Sequence, residues 1–194
     1  MNKRILRILR TLVMLFGAAS LGSCTTHLIP LFSFASFSPK LNQSFQFGTN
    51  NAVVFGRFTT GKDFAFGNEL ALRLHNEDLK TDYLVRFQDK DSMYGIAVKP
   101  GHYRVAGWVA TFIDHRPVGK CYFTNTPLFE VRTNTVTYVG DFTGYAKLGA
   151  LAMGQTWNLT GLTNNFTATE VEFRQKNPNL SSALAVSAFN QPPM

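Results

Sequence analysis

The chain has 194 residues, 45% of them hydrophobic and 13% aromatic, with 18 phenylalanines, two cysteines and a formal charge of +7. That length is ample for one core-bearing domain and short for two. Four of the 19 basic residues, Lys3, Arg4, Arg7 and Arg10, fall in the first ten positions, which leaves 15 against 12 acidic ones; the charge therefore does not describe a polyanion-binding surface, and nucleic acid is not an expected partner.

Behind that basic segment, Leu12 to Leu21 form an apolar run shorter than the roughly 20 residues that span a bilayer. The small pair Gly22-Ser23 then leads to Cys24. The order of these features resembles the lipobox of bacterial lipoproteins. The resemblance implies that residues 1–23 are a signal peptide cut between Ser23 and Cys24, and that Cys24 carries diacylglycerol and an amide-linked acyl chain such as palmitate. It also implies a location in the bacterial cell envelope, with the lipid in a membrane. Thr25 after the cysteine, rather than Asp, points to the outer membrane, facing the periplasm. An ordinary secretory signal or an uncleaved anchor is the alternative. Acyl chains contribute about 0.8 kcal/mol per buried CH₂, so several together hold a soluble domain at a membrane. With Cys24 lipidated, Cys121 has no intramolecular partner and the fold does without a disulfide. Beside Tyr122 and Phe123, Cys121 reads as a small buried apolar residue, a reactive thiol being the alternative.

Residues 24–50 read as a lipidated N-terminus and tether. Phe32, Phe34, Phe37, Phe45 and Phe47 are many for a free linker, so part of it is expected to dock on the domain or lie at the membrane surface, and Phe45-Gln46-Phe47 alternates like an edge strand. From residue 51 to 157, β-like runs recur between turn signals. They are Ala52 to Thr59, Glu69 to His75, Asp82 to Phe87, Tyr94 to Lys99, His102 to Ile113, Lys120 to Phe123, Pro127 to Arg132, Thr135 to Phe142 and Tyr145 to Trp157. Short strands at this spacing, without alternating helices, predict a mainly β fold, a single antiparallel β-sandwich.

Turn chemistry marks several boundaries. Lys99-Pro100-Gly101-His102 reads as a type II turn, with Gly101 supplying positive φ. In the run that follows, Tyr103, Val105, Gly107 and Val109 are expected on one face and Arg104, Ala106 and Trp108 on the other, while Gly107 signals a bulge or a close crossing. Val131 to Val136 reads as a hairpin with Asn134 in a left-handed conformation.

The strand Pro100-Gly101-His102-Tyr103-Arg104-Val105, followed by Phe129-Glu130-Val131 and Val136-Thr137-Tyr138-Val139-Gly140-Asp141-Phe142, resembles a pattern of bacterial lipoproteins with a transthyretin-like or carboxypeptidase-regulatory-like β-sandwich. The resemblance covers about Ala52 to Phe142; Thr133-Asn134 stands where a glycine turn is more usual. It implies an envelope accessory or binding module rather than an enzyme.

The remaining stretch, residues 158–194, changes character. Thr167-Ala168-Thr169-Glu170 has capping-box spacing and Pro178 follows Lys176, which predicts a short C-terminal helix from Ala168 to Lys176; the alternation of Val171-Glu172-Phe173 leaves a strand as the alternative.

For chemistry, His27, His75, His102 and His115 are scattered, and neither a nucleophile elbow nor a phosphate-binding loop occurs. Asp114-His115-Arg116, at a strand end, could present an acid, an imidazole and a guanidinium to an anion or a metal; a solvated turn is the commoner use of such a triplet. Asp89-Lys90-Asp91 lacks the further carboxylates of a calcium loop. Asp141 is expected to cap or turn the chain. Tyr103, Trp108, Phe112, Tyr122, Phe123, Tyr138 and Tyr145 fit a core better than a glycan platform. The sequons at Asn42, Asn158 and Asn165 carry no weight beside a bacterial lipobox. The expectation is a lipid-anchored, non-catalytic binding or structural module with no metal or cofactor, engaging the membrane through its lipid and an envelope protein or glycan through its surface. The alternative is an envelope hydrolase or metal-dependent enzyme assembled from distant residues.

Overall fold

Ala52, Val53, Val54 and Phe55 are all fully buried, which a strand achieves only when something packs on each of its faces. The computed structural model, which describes residues 45–48, 50–60, 68–87, 91–112, 117–123, 126–148 and 155–191, shows what those two coverings are. The elements run β1 (Ala52–Thr60), β2 (Asn68–Asn76), β3 (Thr81–Phe87), β4 (Asp91–Val98), β5 (Gly101–Phe112), β6 (Pro117–Tyr122), β7 (Phe129–Val131), β8 (Thr135–Leu148), β9 (Gln155–Thr163), α1 (Phe166–Lys176) and β10 (Leu184–Ser187).

They form two sheets. In the first, the order is β4-β1-β8, and β10 and β9 share the outer edge of β8 one after the other. In the second, the order is β3-β2-β5, and β7 and β6 share the outer edge of β5 in the same way. Alternate residues of β1 face opposite coverings. Val54 and Phe58 join Leu72, Tyr103, Trp108 and Phe142 in the core between the sheets, where Phe58 stacks on Phe87 with ring centroids 4.0 Å apart. Val53 and Phe55 face α1, in a second cluster with Val136, Tyr138, Phe173 and Leu180. The fold is thus a β-sandwich with a short C-terminal helix, and the helix covers the outer face of the first sheet.

Several expectations are corrected by this arrangement. Most pairings are antiparallel, but β8 runs parallel to both β1 and β10. Val131 to Val136 is not a hairpin: Asn134 does take φ 58°, yet β7 belongs to the second sheet and β8 to the first, so the turn is a corner between sheets. Val131 and Val139 pull the two strands into opposite walls of the same core. The run expected over Tyr145 to Trp157 divides between the end of β8 and the start of β9, and β9 continues to Thr163. Phe45 to Phe47 belongs to no strand, against the edge strand its alternation suggested; its two rings meet edge to face at 5.7 Å and pack on the second cluster.

Bulges account for the remaining difference. Along β5, Arg73 pairs with Gly107 and Leu74 with Val105, so Ala106 is an extra residue. Gly107, with φ 145°, marks the bulge its position predicted. The extra residue inverts the expected alternation, and Trp108 joins Tyr103 in the inter-sheet core while Val109 turns outward, to a small cluster with Ala71 and Leu84. Gly101 has φ 147°, and the reason is close approach as well as turning: a Cβ there would lie 2.7 Å from Asp78 Oδ2.

Candidate functional site

Of the residues that the sequence offers for function, Ser23, Cys24 and the triplet Asp114, His115 and Arg116 lie outside the described residues, as do Asp89 and Lys90 and the side chains of Asp91 and Cys121. The structure brings together three other sets of groups.

The first is a charged row on the outward face of the second sheet. His75 of β2 stands opposite Asp82 of β3 on one side and Arg104 of β5 on the other. Asp82 binds His75 Nδ1 at 2.8 Å and Arg73 at 2.6 Å. In the turn after β2, Glu77 binds Arg104 and, at 3.1 Å, Lys80; these partners, Lys80 first, hold its carboxyl below the ordinary range. Asp78 accepts the backbone N–H of His102 at 2.8 Å and contacts its ring, which lowers its pKa as well. Every carboxylate here has a cationic or N–H partner, and both histidines bond to carboxylates. The row is half-buried along the strands and exposed at Asp78 and Lys80, and its charges satisfy one another across the sheet face. Among the described residues no group of three or more His, Cys, Asp or Glu is arranged to hold a metal ion.

The second set is a polar knot at the start of α1. Asp141 is buried and accepts hydrogen bonds from Tyr138 Oη at 3.0 Å, Thr169 Oγ1 at 3.0 and 3.1 Å, and Asn165 Nδ2 at 3.2 Å. The Asn165 backbone N–H in turn donates to Tyr138 Oη. The expected capping box is not formed. The helix begins two residues earlier, at Phe166; Asn165, at the N-cap, makes no capping bond, Asn164 Oδ1 accepts the Phe166 N–H at 3.4 Å, and Thr169 turns to Asp141 while Glu170 pairs with Arg174. Burial chiefly, with the nearby Asp141 charge, raises the Tyr138 pKa well above that of free tyrosine. Asp141 thus ties the helix to the sheet through side chains and accepts no helix N–H, which is not the capping or turning role its sequence context suggested.

The third set forms an apolar cleft where the outer edges of the two sheets come side by side. It encloses about 90 Å³ between Val105 of β5, the segment Thr126 to Phe129, Val139 of β8, Leu162 of β9 and the turn Ala188-Phe189. Among the described lining residues Thr126 has the one polar side chain, and its hydroxyl is already donated to the Val105 carbonyl at 2.9 Å. No described lining residue is titratable. Such a lining can hold an aliphatic or aromatic group by burial; it supplies no acid, base or nucleophile. Leu162 and Phe189 at its rim remain 39% and 42% exposed, large for apolar side chains with the core so near. Sequence patterning could not find this site, because its walls come from segments more than 80 residues apart.

Among the described residues no helix is long and apolar enough to cross a membrane. No family model and no curated protein matches the chain. Among solved structures the chain is similar to a leucine-rich repeat protein from Bacteroides thetaiotaomicron VPI-5482, at 10% identity and a TM-score of 0.27, over 47% of this chain and 13% of that one.

Proposed function

We propose that this chain is a lipid-anchored protein of the bacterial cell envelope whose sandwich acts as a non-catalytic binding module. The observation that carries the reading is the apolar cleft: a concave site with no titratable described group in its lining suits uptake of an apolar side chain and gives a reaction nothing to work with. The pairing of the charged row supports the same view, since its carboxylates are occupied by guanidinium, ammonium or N–H partners.

The tether fits this arrangement. Phe45 and Phe47 dock against the cluster beneath α1, and Asn179 donates to the Phe45 carbonyl, so the path toward Cys24 leaves beside the turn that follows the helix. Residues 25–44, at about 3.3–3.6 Å each when extended, give the anchored domain a reach of up to roughly 70 Å from the lipid. Recruitment is then the mechanism: the acylated Cys24 fixes the domain at a membrane and the cleft engages an envelope partner.

Intact mass spectrometry of the membrane-extracted protein, with in-cell crosslinking of the unaltered chain and of Cys24→Ser, tests it. Acyl mass on the fragment beginning at Cys24, and crosslinked partners that disappear in the variant, is the expected result. An unmodified Cys24 ends the anchored reading.

A further inference from the structure

At the one register position where His102 of β5 faces Glu130 of β7, neither residue uses its backbone groups on the other. Both pairs point outward. Those of His102 are taken by the preceding turn, its N–H by the Asp78 carboxylate and its carbonyl by the Glu77 N–H at 2.8 Å. Those of Glu130 are taken by a side chain: Gln191 Oε1 accepts from the Glu130 N–H, and Gln191 Nε2 donates to the Glu130 carbonyl at 2.8 Å. A glutamine amide offers the same donor and acceptor as a peptide group. Gln191 therefore stands in for one residue of an added strand.

The cleft adjoins this edge on both of its segments. Leu128 and Phe129 line it just before Glu130, and Ala188 and Phe189 line it just before Gln191, so residues 188–191 lie alongside residues 126–130 like a strap. The strap is a single 3-10 turn, Ala188–Asn190, held by Ala188 against the inter-sheet core, by the Phe189 ring 6.0 Å from that of Tyr138 and by the Gln191 amide. It carries no charge, nearly half of the Phe189 surface is exposed, and the strand behind it, β10, has four residues. The Glu130 carboxylate is neutralised by Arg132 at 2.7 Å, which leaves the edge without a net charge to satisfy.

We propose that the β7 edge and the cleft together form a peptide-binding site, occluded in the free protein by the strap Ala188–Gln191, and that its ligand is an extended, uncharged polypeptide segment. The ligand's backbone replaces the Gln191 amide on Glu130, and one aliphatic or aromatic side chain takes the place of Phe189 at the cleft. This is strand addition at a sheet edge, with main-chain bonds giving affinity and the pocket giving preference. Because the competent form is populated only when the strap opens, apparent affinity is reduced by that fraction. The inference rests on the binding-module reading but not on the lipid anchor.

Two fluorescent peptides test it, acetyl-Val-Ser-Ala-Phe-Asn-Gln-amide, which copies the strap, and the unrelated acetyl-Val-Thr-Val-Leu-Thr-Thr-amide. Both are titrated into the unaltered chain and into the Phe189→Ala/Gln191→Ala variant. The variant is expected to bind both at least tenfold more tightly, with amide shifts centred on Leu128 to Val131, and a fully N-methylated copy is expected not to bind. Uptake of the strap sequence alone would make the strap a structural seam and overturn the proposal, as would uptake of neither peptide or equal affinity in both proteins. A measurement on the unaltered chain guards against a variant that fails to fold. The Glu130 amide should exchange with deuterium at least a hundredfold faster than that of Val54, and exchange at the same rate would show that the strap does not open. Peptide uptake with no crosslinked partner in cells would fail the recruitment reading alone; partners without peptide uptake would fail this one.

Discussion

Tyr138 and Asp141 lie three residues apart on β8 yet face the same way, so that the tyrosine hydroxyl donates to the carboxylate at 3.0 Å. A regular strand would set them on opposite faces. Between them the register with β1 slips by one residue, and Gly140 adopts φ 123° at the slip. The same bulge turns Val139 and Phe142 together into the inter-sheet core. Asp141→Ala would remove the acceptor that Tyr138, Thr169 and Asn165 share; Tyr138 and Asn165 keep the Thr163 carbonyl and Thr163 Oγ1 as acceptors, so Thr169 is the donor left stranded and the predicted loss is about 1–2 kcal/mol. Asp141→Asn, which keeps one carbonyl oxygen, should cost less. Urea unfolding of both variants measures it, and an unchanged midpoint in the alanine variant would show that the knot does not hold the helix.

Gly56 offers a test in which the usual sign reverses. Replacing a strand glycine by alanine ordinarily stabilises by roughly 0.5–1 kcal/mol. Here a Cβ would fall on the Gly140 carbonyl oxygen and on the Tyr94 hydroxyl, which itself donates to that oxygen at 3.3 Å. The carbonyl sits at the bulge between Tyr138 and Asp141, both fixed by their pairing with β1, and has little room to step aside, so Gly56→Ala is expected to destabilise by about 1–3 kcal/mol. A thermal melt suffices, and a raised Tm would contradict the close approach of β1 and β8.

How much of this was legible depends on the range of the signal. Asn134 and Gly107 announced a left-handed residue and a bulge, because each conformation is local to the residue that adopts it. The run Ala52 to Thr59 announced a strand, but not that its neighbour would be β8, some 80 residues on and parallel. The consequences of the bulges were not readable either: whether one extra residue sits at Ala106 decides the side on which Trp108 lies, and only the pairing with β2 fixes that. The cleft and the Gln191 contact were further still from view, since a glutamine that completes a strand edge has the same local sequence as one in solvent.

The docking of α1 is set by Phe173, fully buried and stacked on Phe55 with ring centroids 4.3 Å apart. Most of the other helix residues are exposed or half-buried, so this ring and Thr169 are its main points of attachment. Phe173→Ala is expected to cost about 3–5 kcal/mol. Val171→Ala, on the exposed side, should change stability by less than about 0.5 kcal/mol. Comparison of the two by urea denaturation separates docking from helix propensity; similar losses would refute the assignment.

Acid should weaken the fold through three surface carboxylates. Asp78 is held below its ordinary value of 3.8 by the His102 backbone N–H first, and Glu77 and Glu130 below 4.5 by Lys80 and Arg132 first. A carboxyl whose pKa is lower in the folded state contributes fully above its unfolded value and loses that contribution as pH falls through the folded one. Stability should therefore decline from about pH 4.5 downward, and Asp78→Asn, which accepts from His102 without titrating, should flatten part of the decline. Urea midpoints at about pH 6, 4.5 and 3 decide; identical slopes for the two proteins would remove Asp78 from the account.

Arg174 controls how firmly the last strand is presented. From α1 its guanidinium reaches the carbonyls of Leu180 at 3.1 Å, Ser181, and Ala183 at 3.0 Å, while Nε donates to Glu170 at 2.9 Å. One planar fork thus holds the whole turn that leads into β10, and a lysine ammonium, with a single nitrogen, cannot meet carbonyls so spread. Arg174→Lys is expected to cost about 1–2 kcal/mol, confined to the C-terminal segment. Hydrogen exchange reads this directly: the Val186 amide on β10 should exchange about tenfold faster while that of Val54 stays near its original rate. Because β10 runs straight into Ala188–Gln191, the same substitution should also release the Glu130 amide. Faster exchange at Val186 with none at Glu130 would mean that the strap is held by its own contacts rather than by the turn behind it.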